Sequence, residues 1–156
     1  MKAASINEIK KALKEYSSAQ LLDVCLRLAR YKKENKELLT YLLFEAADTD
    51  AFIKSGREEI DTVFTGMNTA NLFAVKKSLR KLLRTINKYI RFAASKTVEA
   101  ELLIYFCLTL KQSKIPVRKS AALTNMYVAQ LKKIHTVVAT LHEDLQYDYA
   151  AQLNNL

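Results

Sequence analysis

The sequence predicts an all-α fold of six to eight antiparallel helices, arranged as a compact bundle or as a short HEAT-like array of stacked hairpins. Three observations carry that prediction. Apolar residues recur at helical spacing along nearly the whole chain, with little strict alternation. Only 2 Gly and 1 Pro occur, too few to punctuate the turns of an antiparallel sheet. Ser and Asp stand where helices should start, and in two cases Glu or Gln follows three residues later. The 156 residues are 50% apolar and 26% charged, a globular balance, so one all-helical domain over 1–156 is expected.

Each element has its own signal. Ser5 with Glu8 caps a first helix over about 6–15, whose Ile6, Ile9, Leu13 and Tyr16 line one face. Ser17 with Gln20 opens a second helix that reaches about Ala29, and YKKENKE then reads as a tight turn. A third helix, about 34–46, is apolar over most of its circumference, which predicts a central core position. Asp48, Thr49 and Asp50 cap a fourth element, about 51–64, which Gly56 threatens to split, since glycine costs about 1 kcal/mol there relative to alanine. Gly66 to Thr69 is a break. A fifth helix follows at about 70–94 and a sixth, apolar nearly all round, at 97–112. Pro116 marks the loop KQSKIPVRKS. A seventh helix, about 119–144, carries Tyr127, Leu131, Ile134, Val138, Leu141 and Leu145, and the tail DYAAQLNNL extends it or frays. Helices three and six should be the most buried.

Composition excludes several function classes. Gly56 and Gly66 cannot furnish a P-loop or a Rossmann turn. The 2 cysteines, Cys25 and Cys107, lie in apolar stretches and read as reduced core thiols, with no C-x-x-C for zinc or redox work. Lysines and glutamates interrupt the first sixteen residues, so no secretory signal is read there and a cytoplasmic location is expected. No apolar run reaches the roughly eighteen residues of a membrane span.

Charge is distributed unevenly. Residues 1–61 hold 11 basic and 11 acidic side chains, 62–142 hold 14 and 2, and 143–156 hold 3 acids alone, within a net charge of +9. Between Asp61 and Glu99 there is no acid, while Lys76, Lys77, Arg80, Lys81, Arg84, Lys88 and Arg91 accumulate on one helix face within an arc of about 140°. Val75, Leu79, Leu82, Leu83, Ile86, Tyr89 and Ile90 occupy the opposite side. No Glu stands at i±4 to relieve the repulsion, which costs a few tenths of a kcal/mol per pair. One reading of this pattern is a solvated outer face, as lysine-rich helix faces commonly are. The binding alternatives are an acidic protein partner, nucleic-acid phosphates or an anionic membrane surface. Phe73 and Phe92 fall within or beside the arc, either packed on neighbouring helices or available to stack on bases. A fourth reading is internal: Glu143, Asp144 and Asp148 fold back on the basic helix and turn the face into a seam.

The sequence offers no catalytic motif, cofactor motif or metal motif. His135 and His142, seven residues apart on one helix, are too distant to share a metal unaided. Glu58, Glu59, Asp61, Glu99, Glu101, Glu143 and Asp144 are expected beside helix ends or exposed turns, those near helix starts favoured by the macrodipole. The reading is a non-enzymatic interaction or scaffold protein presenting the basic face at 76–91 to an acidic protein partner. Its alternatives are a nucleic-acid-binding accessory protein using the same face and an enzyme of unrecognised type. Oligomeric state is not legible.

Overall fold

Capping side chains set most of the helix starts. The computed structural model describes residues 2–156, and among these are eight α-helices and no strand. The chain divides into two compact units, Met1–Phe44 and Glu45–Leu156.

In the first unit, α1 (Ile6–Lys14) and α2 (Ser18–Tyr31) both begin with a reciprocal capping box. Glu8 N–H donates to Ser5 Oγ at 3.3 Å while Ser5 N–H donates to Glu8 Oε2 at 2.7 Å. Ser17 and Gln20 repeat the exchange. The turn expected across YKKENKE shrinks to Lys32, whose extended backbone joins α2 to α3 (Lys33–Thr40). Asn35 Nδ2 fastens this hairpin by donating to the Leu28 carbonyl at 2.9 Å. A π-helical turn, Tyr41–Glu45, follows.

Two expectations fail in this unit. The spacing over 34–46 predicts a central core helix, yet α3 buries no residue, Tyr41 alone of 34–46 is buried, and Leu38, Leu42, Leu43 and Phe44 are exposed. Cys25, read as a core thiol, is exposed as well. The cause is the same for both. An apolar circumference states what a helix needs, whereas burial requires enough neighbouring chain to surround it, and these helices have too little.

The second unit encloses a core around α6 (Lys96–Gln112), which packs against α4 (Thr49–Thr65), α5 (Leu72–Ala93) and α7 (Ala121–Val138). Asp48 Oδ1 accepts from Ala51 N–H at the start of α4, Asn71 Oδ1 from Phe73 and Ala74 at the start of α5, and Ser95 Oγ from Val98 at the start of α6. Leu102, Leu103, Ile104, Phe106, Cys107 and Leu110 are all buried, as an all-round apolar helix demands. Leu79, Leu82 and Ile86 reach the core from α5, and Leu123 and Ile134 from α7. Pro116 stands just before a short 3₁₀ turn, Val117–Lys119, in the expected loop.

Gly56 does not split α4. The helix runs unbroken, and a Cβ on Gly56 would stand 2.6 Å from Leu102 Cδ2. Glycine suits this position because α4 and α6 approach closely, with the fully buried Leu102 side chain against it. Gly56→Leu is therefore expected to overpack the α4–α6 contact and cost about 2–3 kcal/mol, read as a fall in the denaturant midpoint at constant slope.

The seventh helix is also shorter than its stripe. α7 stops at Val138, and α8 (Glu143–Leu153) begins after a turn at 139–142. His142 caps α8, its Nδ1 accepting from Asp144 N–H at 3.4 Å, with Glu143 and Asp144 in the acidic first turn. The heptad-like spacing of Val138, Leu141 and Leu145 runs across this break and conceals it. The tail thus forms its own helix, held where Lys111 Nζ donates to the carbonyls of Asn155 and Leu156 and Tyr127 Oη donates to Leu156.

Candidate interaction face

α5 carries both the core stripe and the basic face, because 22 residues at 3.6 per turn let the two patterns run in parallel for six turns. Val75, Leu79, Leu82, Leu83 and Ile86 are buried. Lys77, Arg80, Lys81 and Arg84 point to solvent and Lys76 is half-buried at the edge. Among the described residues none of these five forms an ion pair or side-chain hydrogen bond. The two C-terminal cations differ. Lys88 is half-buried with its Nζ 5.9 Å from the Tyr89 ring centroid, and both Lys88 and Arg91 are already engaged.

The two phenylalanines separate in the same way. Phe92 is half-buried, whereas Phe73, in the first turn of α5, is 75% exposed. Its ring joins Lys76, Lys77, Arg80, Arg84 and Ala122 of α7 around a recess of about 320 Å³. The recess thus sets an apolar ring beside four cations with no carboxylate in its lining, which gives it a positive potential and one apolar wall. The internal seam is not formed: Glu143, Asp144 and Asp148 make no ion pair with α5, and Asp144 instead lies 3.3 Å from His142 Nδ1.

Three of the acids expected at helix ends or exposed turns, Glu99, Glu101 and Asp61, tie helices together. Glu99 is buried and held by Lys96 at 3.0 Å and by Lys133 of α7 at 3.4 Å, and Lys133 also donates to Asn87 Oδ1 of α5 at 2.8 Å. Glu101 pairs with Arg57 of α4 and accepts from Tyr149 Oη of α8 at 2.6 Å. Tyr105 Oη donates to Asp61 at 2.8 Å, and the Arg57 guanidinium lies 5.2 Å from the Tyr105 ring centroid. Arg57 and Glu101, Asp61 and Tyr105, and Glu101 and Tyr149 are separated by 44 or more residues, so no local signal in the sequence announces these pairs. The network fastens α4, α6 and α8 together. His135 and His142 are both exposed and, among the described residues, no group of three or more His, Cys, Asp or Glu is gathered as a metal site.

Two hydrogen-bonded tyrosine hydroxyls and a buried thiol give the unit an alkaline limit. Burial pushes the Cys107 thiol from its ordinary 9.0 up to about 12. Burial first, then the hydrogen bond to Glu101, raises Tyr149 well above 10.0, and the hydrogen bond to Asp61 first raises Tyr105. Once the pH exceeds these ordinary values the unfolded chain releases protons that the folded chain keeps, so the folded state holds the greater number. Stability is then complete below about pH 9 and falls as pH rises through the folded-state values. Denaturant titrations between about pH 8 and 10.5 should show that fall, and Tyr149→Phe should flatten it.

Among the described residues no helix is long and apolar enough to cross a membrane. No protein-family model, curated protein or solved structure matches this chain.

Proposed function

We propose that the protein is a non-catalytic helical interaction module whose α5 face docks an acidic, amphipathic segment of a protein partner, in the cytoplasm. The observation that carries this reading is the uncompensated cluster Lys76, Lys77, Arg80, Lys81 and Arg84, of which all but Lys81 line the recess that holds the exposed Phe73 ring. Cations at 77, 80, 81 and 84 follow helical spacing, so a partner helix with carboxylates three and four residues apart meets them turn by turn. An apolar side chain of that helix fits beside Phe73. Such a ligand supplies the negative charge that α5 lacks within its own sequence, and desolvated apolar contact supplies specificity that charge alone does not.

A second reading rests on Phe73 itself, since a solvent-facing ring among cations also suits a nucleobase stacked above phosphates. The footprint is short for that use. Lys77 to Arg84 spans only about 10 Å of helix, room for few phosphates. The test is a titration of the purified protein with a labelled acidic amphipathic peptide and with single- and double-stranded oligonucleotides, at two salt concentrations. Saturable peptide binding that survives the higher salt supports the proposal. Oligonucleotide binding that is the tighter of the two, with a log–log salt slope of about −0.7 to −0.9 per phosphate, overturns it in favour of the nucleic-acid reading.

A further inference from the structure

The loop after α6 is tied down by its own hydrogen bonds. Ser113 Oγ donates to the Leu110 carbonyl at 2.6 Å and accepts from Ile115 N–H at 3.4 Å, and Val117 N–H donates to the Ile115 carbonyl at 2.8 Å. Thr124 Oγ1 of α7 then donates to the Val117 carbonyl at 3.1 Å. Between this loop, α6, α7 and the tail lies a recess of about 550 Å³. That volume is within the about 300–1,000 Å³ of small-molecule sites, and walls already fixed by such bonds need little reordering when a ligand enters. It gives room for on the order of fifteen non-hydrogen atoms at about 30 Å³ each.

The lining selects the occupant. Leu110, Ile115, Pro116, Val117 and Leu156 make most of it apolar, while Lys111, Arg118 and Lys119 add three cations and no acid joins them. Among the described residues no acidic side chain pairs with any of the three, and Arg118 and Lys119 make no side-chain hydrogen bond. Compensation is not available nearby in the chain, since there is no Asp or Glu between Glu101 and Glu143. The donors at the rim have found only neutral oxygen. Lys111 Nζ donates to the carbonyls of Asn155 and Leu156, each at 3.0 Å, and Tyr127 Oη to the Leu156 carbonyl at 2.7 Å. Two of the three ammonium protons are thereby used. The tail thus brings to this corner an apolar side chain joined to an oxygen acceptor, and a ligand with that pairing and a full negative charge gains charge-assisted bonds from Arg118 and Lys119 as well. A planar carboxylate matches the guanidinium fork, whereas a second charge would be desolvated against the apolar walls. We propose that this recess is a binding site for a small organic monocarboxylate, its carboxylate held by Arg118, Lys119 and the third Lys111 proton and its apolar body laid on Ile115, Pro116, Val117 and Leu156. The α5 recess shares no lining residue with it, so the two sites are separable by experiment.

Titration of the full chain with octanoate tests it, followed by calorimetry and by the methyl resonances of Ile115 and Val117, with octanol, acetate and inorganic phosphate titrated in parallel. One saturable site with a Kd below about 1 mM is expected, and both methyl resonances should shift along the same isotherm. Octanol keeps the body without the charge and acetate the charge without the body, so each should bind at least about tenfold more weakly. Arg118→Gln with Lys119→Gln alters two exposed side chains that hold no partner in the fold. The melting temperature of that variant should stay where it is while its Kd for octanoate rises at least about tenfold. Phe73→Ala should leave octanoate binding unchanged. Absence of saturation overturns the proposal, and so does octanol or phosphate binding as tightly as octanoate. Octanoate binding that Phe73→Ala removes and Arg118→Gln/Lys119→Gln spares belongs to the α5 recess and also overturns it, as do shifts confined to residues 6–44.

Discussion

Replacing Phe106 by Ala is expected to cost about 4 kcal/mol and to lower the melting temperature of the 45–156 unit by roughly 15 °C. Phe106 is fully buried near the middle of α6 and packs edge-to-face on Phe64 of α4, with ring centroids 6.1 Å apart. Truncation removes most of a ring's worth of transfer free energy and leaves a cavity between helices whose packing cannot close around it. The contrasting substitution is Phe73→Ala. That ring is 75% exposed, so its loss should change stability by no more than about 0.5 kcal/mol. Thermal denaturation of the two variants beside the parent separates a core ring from a surface ring of identical chemistry. A small effect at Phe106 would mean that α6 is not the hub of the unit.

The helices were legible because their signals are local. Ser5 with Glu8, Ser17 with Gln20 and the Asp48 cap each act within three residues, and a single sequence contains all of that information. Burial was legible only where the chain supplies neighbours. The segments 97–112 and 38–44 are both apolar nearly all round, yet α6 is enclosed by α4, α5 and α7 whereas of residues 38–44 only Tyr41 is buried. Gly56 was ambiguous for a related reason. Its propensity cost is a property of α4, while its justification, the approach of Leu102, belongs to a helix more than forty residues away. The break before α8 was hidden because a periodic stripe can continue through a turn without changing its sequence spacing.

The same division runs through the site. The basic arc was visible on the helical wheel, since all seven cations ride one regular helix and their angular positions follow from 3.6 residues per turn. Which of them are uncommitted was not visible, because that depends on the surroundings of Lys88 and Arg91. Phe73 and Phe92 had equivalent claims on the wheel and acquired opposite exposures from packing at the two ends of α5. The acids that anchor Arg57, Lys96, Lys133 and Tyr149 read locally as helix-start charges, and only the tertiary arrangement turns them into ties between helices.

Reversing Lys77, Arg80 and Arg84 together to Glu should abolish capture of an acidic amphipathic peptide while leaving the fold intact. Each exposed charge pair across an interface contributes on the order of 1 kcal/mol, so three losses amount to about 3 kcal/mol, or a Kd weakened more than about a hundredfold, before the new repulsion is counted. All three side chains point to solvent, opposite the buried Leu79, Leu82 and Ile86, so no core contact is given up. The new carboxylates also fall within helical reach of Lys76, Lys81 and Lys88, which relieves part of the repulsion now concentrated on this face. The melting temperature should accordingly hold or rise slightly, and a loss of binding cannot be assigned to unfolding. Binding that survives the triple reversal removes α5 from the interaction. Binding lost together with a cooperative drop in melting temperature returns the cluster to a structural role. Phe73→Ala in the otherwise unchanged chain then completes the argument: if the recess anchors an apolar side chain, this variant weakens the peptide without altering the salt dependence that the cations impose.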